Sequence, residues 1–537
     1  MLFGSEYGEV IVKFSGDIIS AAYSLGGYAE MIDCNYAVLT MPVSRISELY
    51  DHREIEYYEP AEIIAAVSAM RNELGITGIS PIKDSIYKLN GKGVIVGIID
   101  SGIDYTHEDF RNSDGSTRIL FIWDQSEDSS PPEGFISGTE YDREDIDRAL
   151  SSKDPFLTVP SRDTEGHGTA VAGIAAGNNG VASRAEIIAV KLGNKEATKT
   201  TDILRAVKYL IDKAYKLNMP LSINLSYGMN RGSHRGGSLF EKCLDSMCGK
   251  WKVSFSAAMG NEGGAGHHFS AVTESGKTVT AEFVCLSLTG TLFLDIYKSF
   301  TNDLEFELIA PNGISSGILY ANDRVKNIRF GTMNVVMDYR RINHYSAVQE
   351  ILFTFGGGFS GFIPGIWKLN IRCTAVVDGR IDIWLPATEA VGTNTAFLYP
   401  DELFTLTVPA TVKSIISVGG YDSQQGSLAY FSGRGLKEIN KPDIAAPAVD
   451  IYTARPGGGY DAYTGTSMAS PFVCGAAAIM MEWGIVDGFS PFLYGEKIKA
   501  YLRKGAARKA NIKYPDDGLG YGILDLRRTM ELLEYSR

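Results

Sequence analysis

The sequence predicts an α/β protein: a parallel sheet with helices on both faces, a small N-terminal α/β unit, and an inserted all-β unit. Three observations lead there. From residue 91 onward, continuous apolar runs alternate with helical segments, the pattern of strands buried on both faces. Between about 268 and 400 that alternation gives way to short period-two strands separated by Gly, Asn and Asp turns. Residues 1–59 carry a compact strand–helix–strand pattern of their own. At 537 residues the chain is too long for one core, and it divides as 1–75, 76–267, 268–400 and 401–537.

Taken in order, "EVIVKFSG" alternates as a strand, "DIISAAYSLG" reads as a helix closed by glycine, and "YAVLTMP" is a second strand. "VSRISELYDH" reads as a helix and "IEYYEP" as a last strand, followed by a helical stretch, "AEIIAAVSAMRNELG", and a linker. "GKGVIVGIIDSG" is a buried parallel strand ending in Asp-Ser-Gly, and strand carboxyl ends are where such folds place function. Further strands of this kind are "AEIIAVKL" (185–192), "PLSINLSYG" (220–228), "WKVSFSAAMGNEG" (251–263) and "SIISVGGYDS" (414–423). "HGTAVAGIAAG" and "TTDILRAVKYLIDKAYKLN" are helices between them. "KTVTAEFVCLSL", "GTLFLDIYKS", "DLEFELIAP", "QEILFTF", "GIWKLNIRC" and "GRIDIWLP" form a β-sandwich pattern, an insertion because parallel-strand segments resume after it.

A formal net charge of −13 argues against nucleic acid as a main partner. No window approaches 18 uninterrupted apolar residues, so no membrane span is expected, and "MLFGSEYGEVIVKF" lacks the features of a signal peptide. Six cysteines in a chain this long do not form a disulfide framework, and Cys243 and Cys248 lack zinc spacing; reduced thiols in an intracellular protein are expected.

The stretch "YTGTSMASPFV" (463–473) opens a helix and puts the Ser467 hydroxyl on its first turn, where free N–H groups favour negative charge. By itself this reads as an N-cap. A serine nucleophile needs an adjacent base, a carboxylate that holds the base in one tautomer, and preplaced donors for the oxyanion. Asp100 in "IIDSGID", His167 in "TEGHGTAVAG" and Asn261 in "AAMGNEG" supply those parts at strand ends and helix starts of one sheet. Each of them alone reads as turn or structural chemistry.

The stretches "DSGIDYTHEDF", "HGTAVAGIAAG", "SYG", "AAMGNEG", "KPDIAAP" and "GTSMASP" resemble the motifs of the subtilisin-like serine proteases, over about residues 85–265 and 400–530. The chain order Asp, His, Ser is that of subtilisin. The resemblance implies that Ser467 is the nucleophile, His167 the general base and then acid, and Asp100 the orienting acid. Asn261 and the Ser467 backbone N–H would form the oxyanion hole. Ser226, Tyr227 and Gly228, with Ala257, Ala258, Met259 and Gly260, would line the pocket for the residue before the scissile bond. Main-chain atoms of the first group would pair with an extended substrate as an added strand. Pro409 matches a proline that is cis in the family.

Three departures narrow the resemblance. The stretch from His167 to Lys191 is shorter than in secreted subtilisins, lacking residues of a calcium loop; Asp109 remains as one possible ligand, but calcium is not expected at that site, calcium binding elsewhere stays open, and no other metal or cofactor is assigned. The β-rich insertion fills a loop that is usually short. The N-terminal unit resembles the subtilisin prodomain, a ferredoxin-like chaperone whose C-terminal strand enters the active site. Together with "RILFIWDQ" (118–125), these departures resemble the Csp branch of clostridial spore germination proteases, which carries a jelly-roll insert in this loop. That resemblance implies a spore or intracellular location and autocleavage of a prodomain that remains bound. It also implies a protein substrate that is a pro-form of a cortex-degrading hydrolase.

Autocleavage is expected between Glu59 and Lys83, within "AVSAMRNELGITG". A pseudoprotease sensor is the alternative in another class, disfavoured because Asp100, His167, Ser467 and Asn261 are all present; a general intracellular degradative subtilase is a third reading. His267 and His268 read as solvated loop residues, His107 and Asp109 as structural, and Trp123, Trp367 and Trp384 as β-rich core or interface. The acidic stretches at 124–130 and 141–150 read as exposed faces or loops.

Overall fold

The computed structural model describes residues 7–66, 77–84, 88–193, 198–287, 291–320, 324–340, 346–356 and 362–535. Its central sheet has the parallel strands Ile416–Asp422, Val253–Ala258, Leu221–Leu225, Ile95–Asp100, Glu186–Lys191 and Ile119–Asp124 side by side, with antiparallel edges at Ser427–Leu428 and Thr139–Asp142. Period-two alternation divides its strands between two cores. In the strand Ile95–Asp100, Val96 and Ile98 join the core with the helices His167–Ala176 and Thr466–Met481. Ile95 and Ile99 join the other, with Thr200–Leu217 and Leu239–Cys248. The same alternation sends Asp100 to the side of the first pair, where His167 begins its helix. The span Thr466–Val486 is apolar and long enough to cross a bilayer, which strict counting of apolar runs misses, but 89% of it is buried in the core.

The N-terminal unit is a four-stranded antiparallel sheet ordered Tyr28–Asp33, Tyr36–Pro42, Tyr7–Phe14, Ile55–Pro60. One face carries its own core of Val10, Val12, Leu39 and the helix Ile18–Ser24, whose first turn is capped by Asp17. The other face sends Ile11, Ile32 and Val38 into the core beneath Thr200–Leu217 and Leu239–Cys248. Residues 43–51 form a 3₁₀ rather than an α-helix.

The stretch expected to be helical after residue 60 is extended over its described part: Ala65–Ala66 pairs antiparallel with Tyr227–Gly228, and Ile64 N–H donates to the Thr198 carbonyl at 3.0 Å. Neighbouring strands supply the hydrogen bonds that a helix would have made internally, and burial of Ile64 holds the segment down. The remainder of that stretch, and most of the expected cleavage window, lies outside the described residues.

The insertion is all antiparallel. A six-stranded sheet runs from His268–Val272 to Val325–Phe330, and a four-stranded sheet contains Thr278–Cys285 and Gly365–Ala375. Both contribute to one core around Phe283, Phe306, Phe353 and Trp367. Trp384 instead lies at the junction with the central unit, stacked between His234 and His268 with ring centroids 4.3 and 4.7 Å away.

Candidate active site

Asp100 ends its strand fully buried, and its Oδ1 lies 2.6 Å from His167 Nδ1 while also accepting the Ser101 N–H at 2.8 Å. His167 opens its helix after Gly166, which sits at φ +83° and has no side chain to cap the helix. Asp163 takes over that duty. Its carboxylate accepts from Gly166 N–H at 2.8 Å, Ser101 Oγ at 2.9 Å, and Thr169 N–H and Oγ1 at 2.8 and 2.7 Å. Ser101 Oγ in turn accepts Gly168 N–H at 2.9 Å, so Asp100 and His167 rest on one buried lattice. A Cβ on Gly168 would overlap the Gly102 carbonyl, which explains why the residue after His167 is glycine.

Ser467 is the second residue of Thr466–Met481 and is fully buried. Its Oγ donates to the Ser226 carbonyl at 3.5 Å, a weak bond that leaves the hydroxyl easy to redirect. The helix is held over the sheet by Ser470 Oγ donating to Asn224 Oδ1 at 2.7 Å, while Asn224 Nδ2 donates to Ser226 Oγ at 2.9 Å. Asn261 Oδ1 accepts the Thr466 N–H at 3.0 Å and the Thr466 hydroxyl at 3.1 Å, which commits the amide oxygen to the residue before Ser467 and leaves Nδ2 as the donor of that side chain. Thr466 Oγ1 also accepts Gly260 N–H at 3.0 Å. The structure thus gathers Asp100, His167, Asn261 and Ser467 at the carboxyl end of the sheet. It joins Asp100 directly to His167 and leaves Ser467 turned to Ser226.

Of the expected pocket residues, Ser226, Tyr227 and Gly228 follow the strand Leu221–Leu225, and Ala257 and Ala258 end the next strand. Gly260 sits at φ +89°, where a Cβ would overlap the Thr407 side chain. The Met259 side chain packs with Trp384, Phe404 and Leu406 at the insertion junction, in a small core of its own. Val408–Pro409 is cis. Sequence reasoning missed Asp163, Asn224 and Thr466. It also missed Thr198–Thr200, which flanks Glu62–Ala66 opposite Tyr227–Gly228. An Asp four residues before His167 and a polar Asn within an apolar strand were the available signals.

Two expectations are corrected. His267 and His268 are buried rather than solvated. His267 Nδ1 lies 2.5 Å from Glu262 and its Nε2 2.8 Å from the Thr395 carbonyl; burial opposes the charge on each, but the pairing outweighs it, raising His267 and lowering Glu262. Glu262 also accepts Thr388 N–H at 3.0 Å, so the insertion is tied in one residue after Asn261. Asp124, at the start of the first acidic stretch, is likewise buried and bonds Ser161 at 2.6 Å and Lys191 at 3.0 Å.

Burial pushes the Asp109 carboxyl up, and it receives Asn179 N–H at 3.2 Å and Tyr460 OH at 3.2 Å. Among the described residues no cluster of three His, Cys, Asp or Glu side chains suits a metal ion, and the six cysteines are free thiols.

The subtilase family model matches residues 91–284 and 397–522, and the Csp protease B prodomain model matches residues 5–60. Among solved structures, the Clostridium perfringens CspB protease has a TM-score of 0.81 and 36% identity, covering 86% of this chain and 98% of that one. The epidermin leader peptide processing protease EpiP of Staphylococcus aureus has a TM-score of 0.52 at 16% identity, covering 98% of this chain and 99% of that one, a likeness of fold alone. Subtilisin E of Bacillus subtilis is 44% identical over 153 residues, 25% of this chain and 38% of that protein. The PI-type proteinase of Lactococcus lactis subsp. cremoris is 23% identical over 535 residues, 84% of this chain, which spans only 26% of that proteinase.

Proposed function

Since the chain belongs to the subtilase family of serine peptidases, we propose that it is a serine endopeptidase that cleaves its own prodomain and then another protein. In this reading Ser467 Oγ attacks the scissile carbonyl carbon as its proton passes to His167 Nε2, the nitrogen not committed to Asp100. The oxyanion is met by Asn261 Nδ2 and the Ser467 N–H at the start of the helix. Collapse of the intermediate breaks the C–N bond, His167 hands its proton to the leaving amine, and water repeats the sequence to free Ser467.

The observation that carries this reading is the antiparallel pairing of Ala65–Ala66 with Tyr227–Gly228. The prodomain's exit segment lies where an extended substrate would, running toward Ser226, whose carbonyl is the partner of the Ser467 hydroxyl. Self-cleavage is therefore expected just beyond Ala66. Intact mass tests it: the wild type gives two fragments divided shortly after residue 66, while Ser467→Ala stays a single chain of 58.4 kDa. If the wild type also stays whole and no fluorophosphonate labels Ser467, the reading fails.

Similarity to the CspB protease supports a substrate that is a pro-form of a spore cortex hydrolase, and a spore-associated or intracellular site of action. Incubation of such a pro-enzyme with the wild type and with Ser467→Ala tests the substrate. Equal, uncleaved pro-enzyme in both would remove it.

A further inference from the structure

Upstream of the Ala65–Ala66 pairing the chain remains extended and is bonded on its other edge. Ile64 N–H donates to Thr198 O at 3.0 Å, Thr200 N–H to Glu62 O at 2.7 Å, and Glu62 N–H to Thr200 Oγ1 at 3.0 Å. Glu62–Ala66 is thus a middle strand between Thr198–Thr200 and Tyr227–Gly228. Alternate side chains of an extended chain point the same way. Ile64 is buried with Tyr227, Ile203 and Leu204, and two residues earlier the Glu62 carboxylate lies 2.9 Å from Arg231 Nη2.

Arg231 belongs to the central unit, but its guanidinium is held by the insertion. Nη2 is 3.1 Å from Glu350, Nε is 3.4 Å from Asp295, and the Phe293 ring lies 5.3 Å from Cζ. Glu350 is itself steadied by Arg340 at 3.2 Å. With these groups fixing its plane, Arg231 directs part of Nη2 onto the track followed by Glu62. A guanidinium immobilised in this way recognises carboxylates without paying again for side-chain order.

Resting on the endopeptidase reading above, we propose that Arg231 is a specificity-determining residue. It selects protein substrates with an acidic side chain two residues before the apolar residue that takes the Ile64 position, and the insertion serves to hold it there. No backbone contact distinguishes one side chain from another at this point, so the discrimination falls on the charge facing Arg231.

The test offers the full-length protein three peptides in one mixture, with identical flanks and isoleucine at the Ile64 position, and Glu, Gln or Lys two residues earlier. Relative kcat/KM in a mixture is independent of any resident segment in the cleft, because that segment competes with each peptide alike. The Glu peptide is expected to be cleaved about tenfold faster than the Gln peptide, the scale of one partly desolvated ion pair, and the Lys peptide slowest. Arg231→Gln is expected to bring the three rates within about twofold, and Arg231→Lys to restore part of the order. Equal rates with the wild type overturn the proposal even if Arg231→Gln fails to fold, and they leave the endopeptidase reading standing. Cleavage of none of the three overturns the proposal, and overturns the endopeptidase reading as well where the wild type also stays whole and takes no fluorophosphonate label.

Discussion

Replacing Asn261 by alanine removes two things that the structure keeps on separate atoms. Oδ1 accepts the Thr466 N–H and hydroxyl at 3.0 and 3.1 Å, and Thr466 is fully buried, so the change strands buried donors at a cost of about 1–3 kcal/mol in stability. Nδ2 is the donor proposed for the developing oxyanion, and losing such an asparagine in a subtilisin, a relative of this chain, lowers kcat by about 10²–10³. Asn261→Asp separates the two effects. It keeps an acceptor for Thr466 but replaces the Nδ2 donor with an oxygen that repels the oxyanion. Both variants should therefore cleave at least about 100-fold more slowly than the wild type, while only alanine lowers the melting temperature appreciably. The assay is the rate of appearance of the two fragments by intact mass, paired with thermal unfolding of each Asn261 variant and its parent in the Ser467→Ala background, where the chain stays whole. Wild-type cleavage by Asn261→Asp would refute the oxyanion assignment. An unchanged melting temperature for Asn261→Ala would refute the anchoring of Thr466.

Asp100→Asn keeps the shape of the site but no longer stabilises the imidazolium or its tautomer, so turnover should fall by about 10⁴ with folding intact, measured by single-turnover autocleavage. Arg205 is buried against Glu9 at 2.9 Å and Glu30 at 2.5 Å. Arg205→Ala leaves the buried Glu30 without its ion-pair partner, and Glu9 with only the Thr201 hydroxyl at 2.6 Å and Lys199 at 3.7 Å, at a cost of about 3 kcal/mol, so retention of the cleaved prodomain on size exclusion should weaken by about 100-fold. Glu59 of the prodomain accepts the Leu239 N–H at 2.6 Å, and burial, with Glu62 and Glu350 nearby, pushes its carboxyl from 4.5 up to about 8. Its raised value means that docking is fully supported below about pH 4.5 and loses that support as pH rises through about 8. The cleaved prodomain should accordingly be released more readily at pH 9 than at pH 6, with the difference flattened in Glu59→Gln.

The parallel strands were legible because a strand buried on both faces must be apolar throughout, as Ile95–Asp100 is up to its functional end. Asp100, His167, Asn261 and Ser467 were legible because the turns carrying them depend on local chain geometry: glycines flank His167, a glycine precedes Asn261, and a Gly-Thr pair precedes Ser467. The insertion stood out by its change of period. What tertiary structure alone decided are the contacts between units. His267 and His268 look like loop residues until Glu262 and Asp382 close over them, and the apolar "AEIIAA" is compatible with a helix until neighbouring strands take up its backbone groups. Arg231, Glu62, Asp295 and Glu350 are scattered across the chain, and their meeting depends on how three units pack. Local propensity and pattern act over a few residues, whereas the pairing of distant buried charges is settled only when desolvation makes an unmatched partner costly.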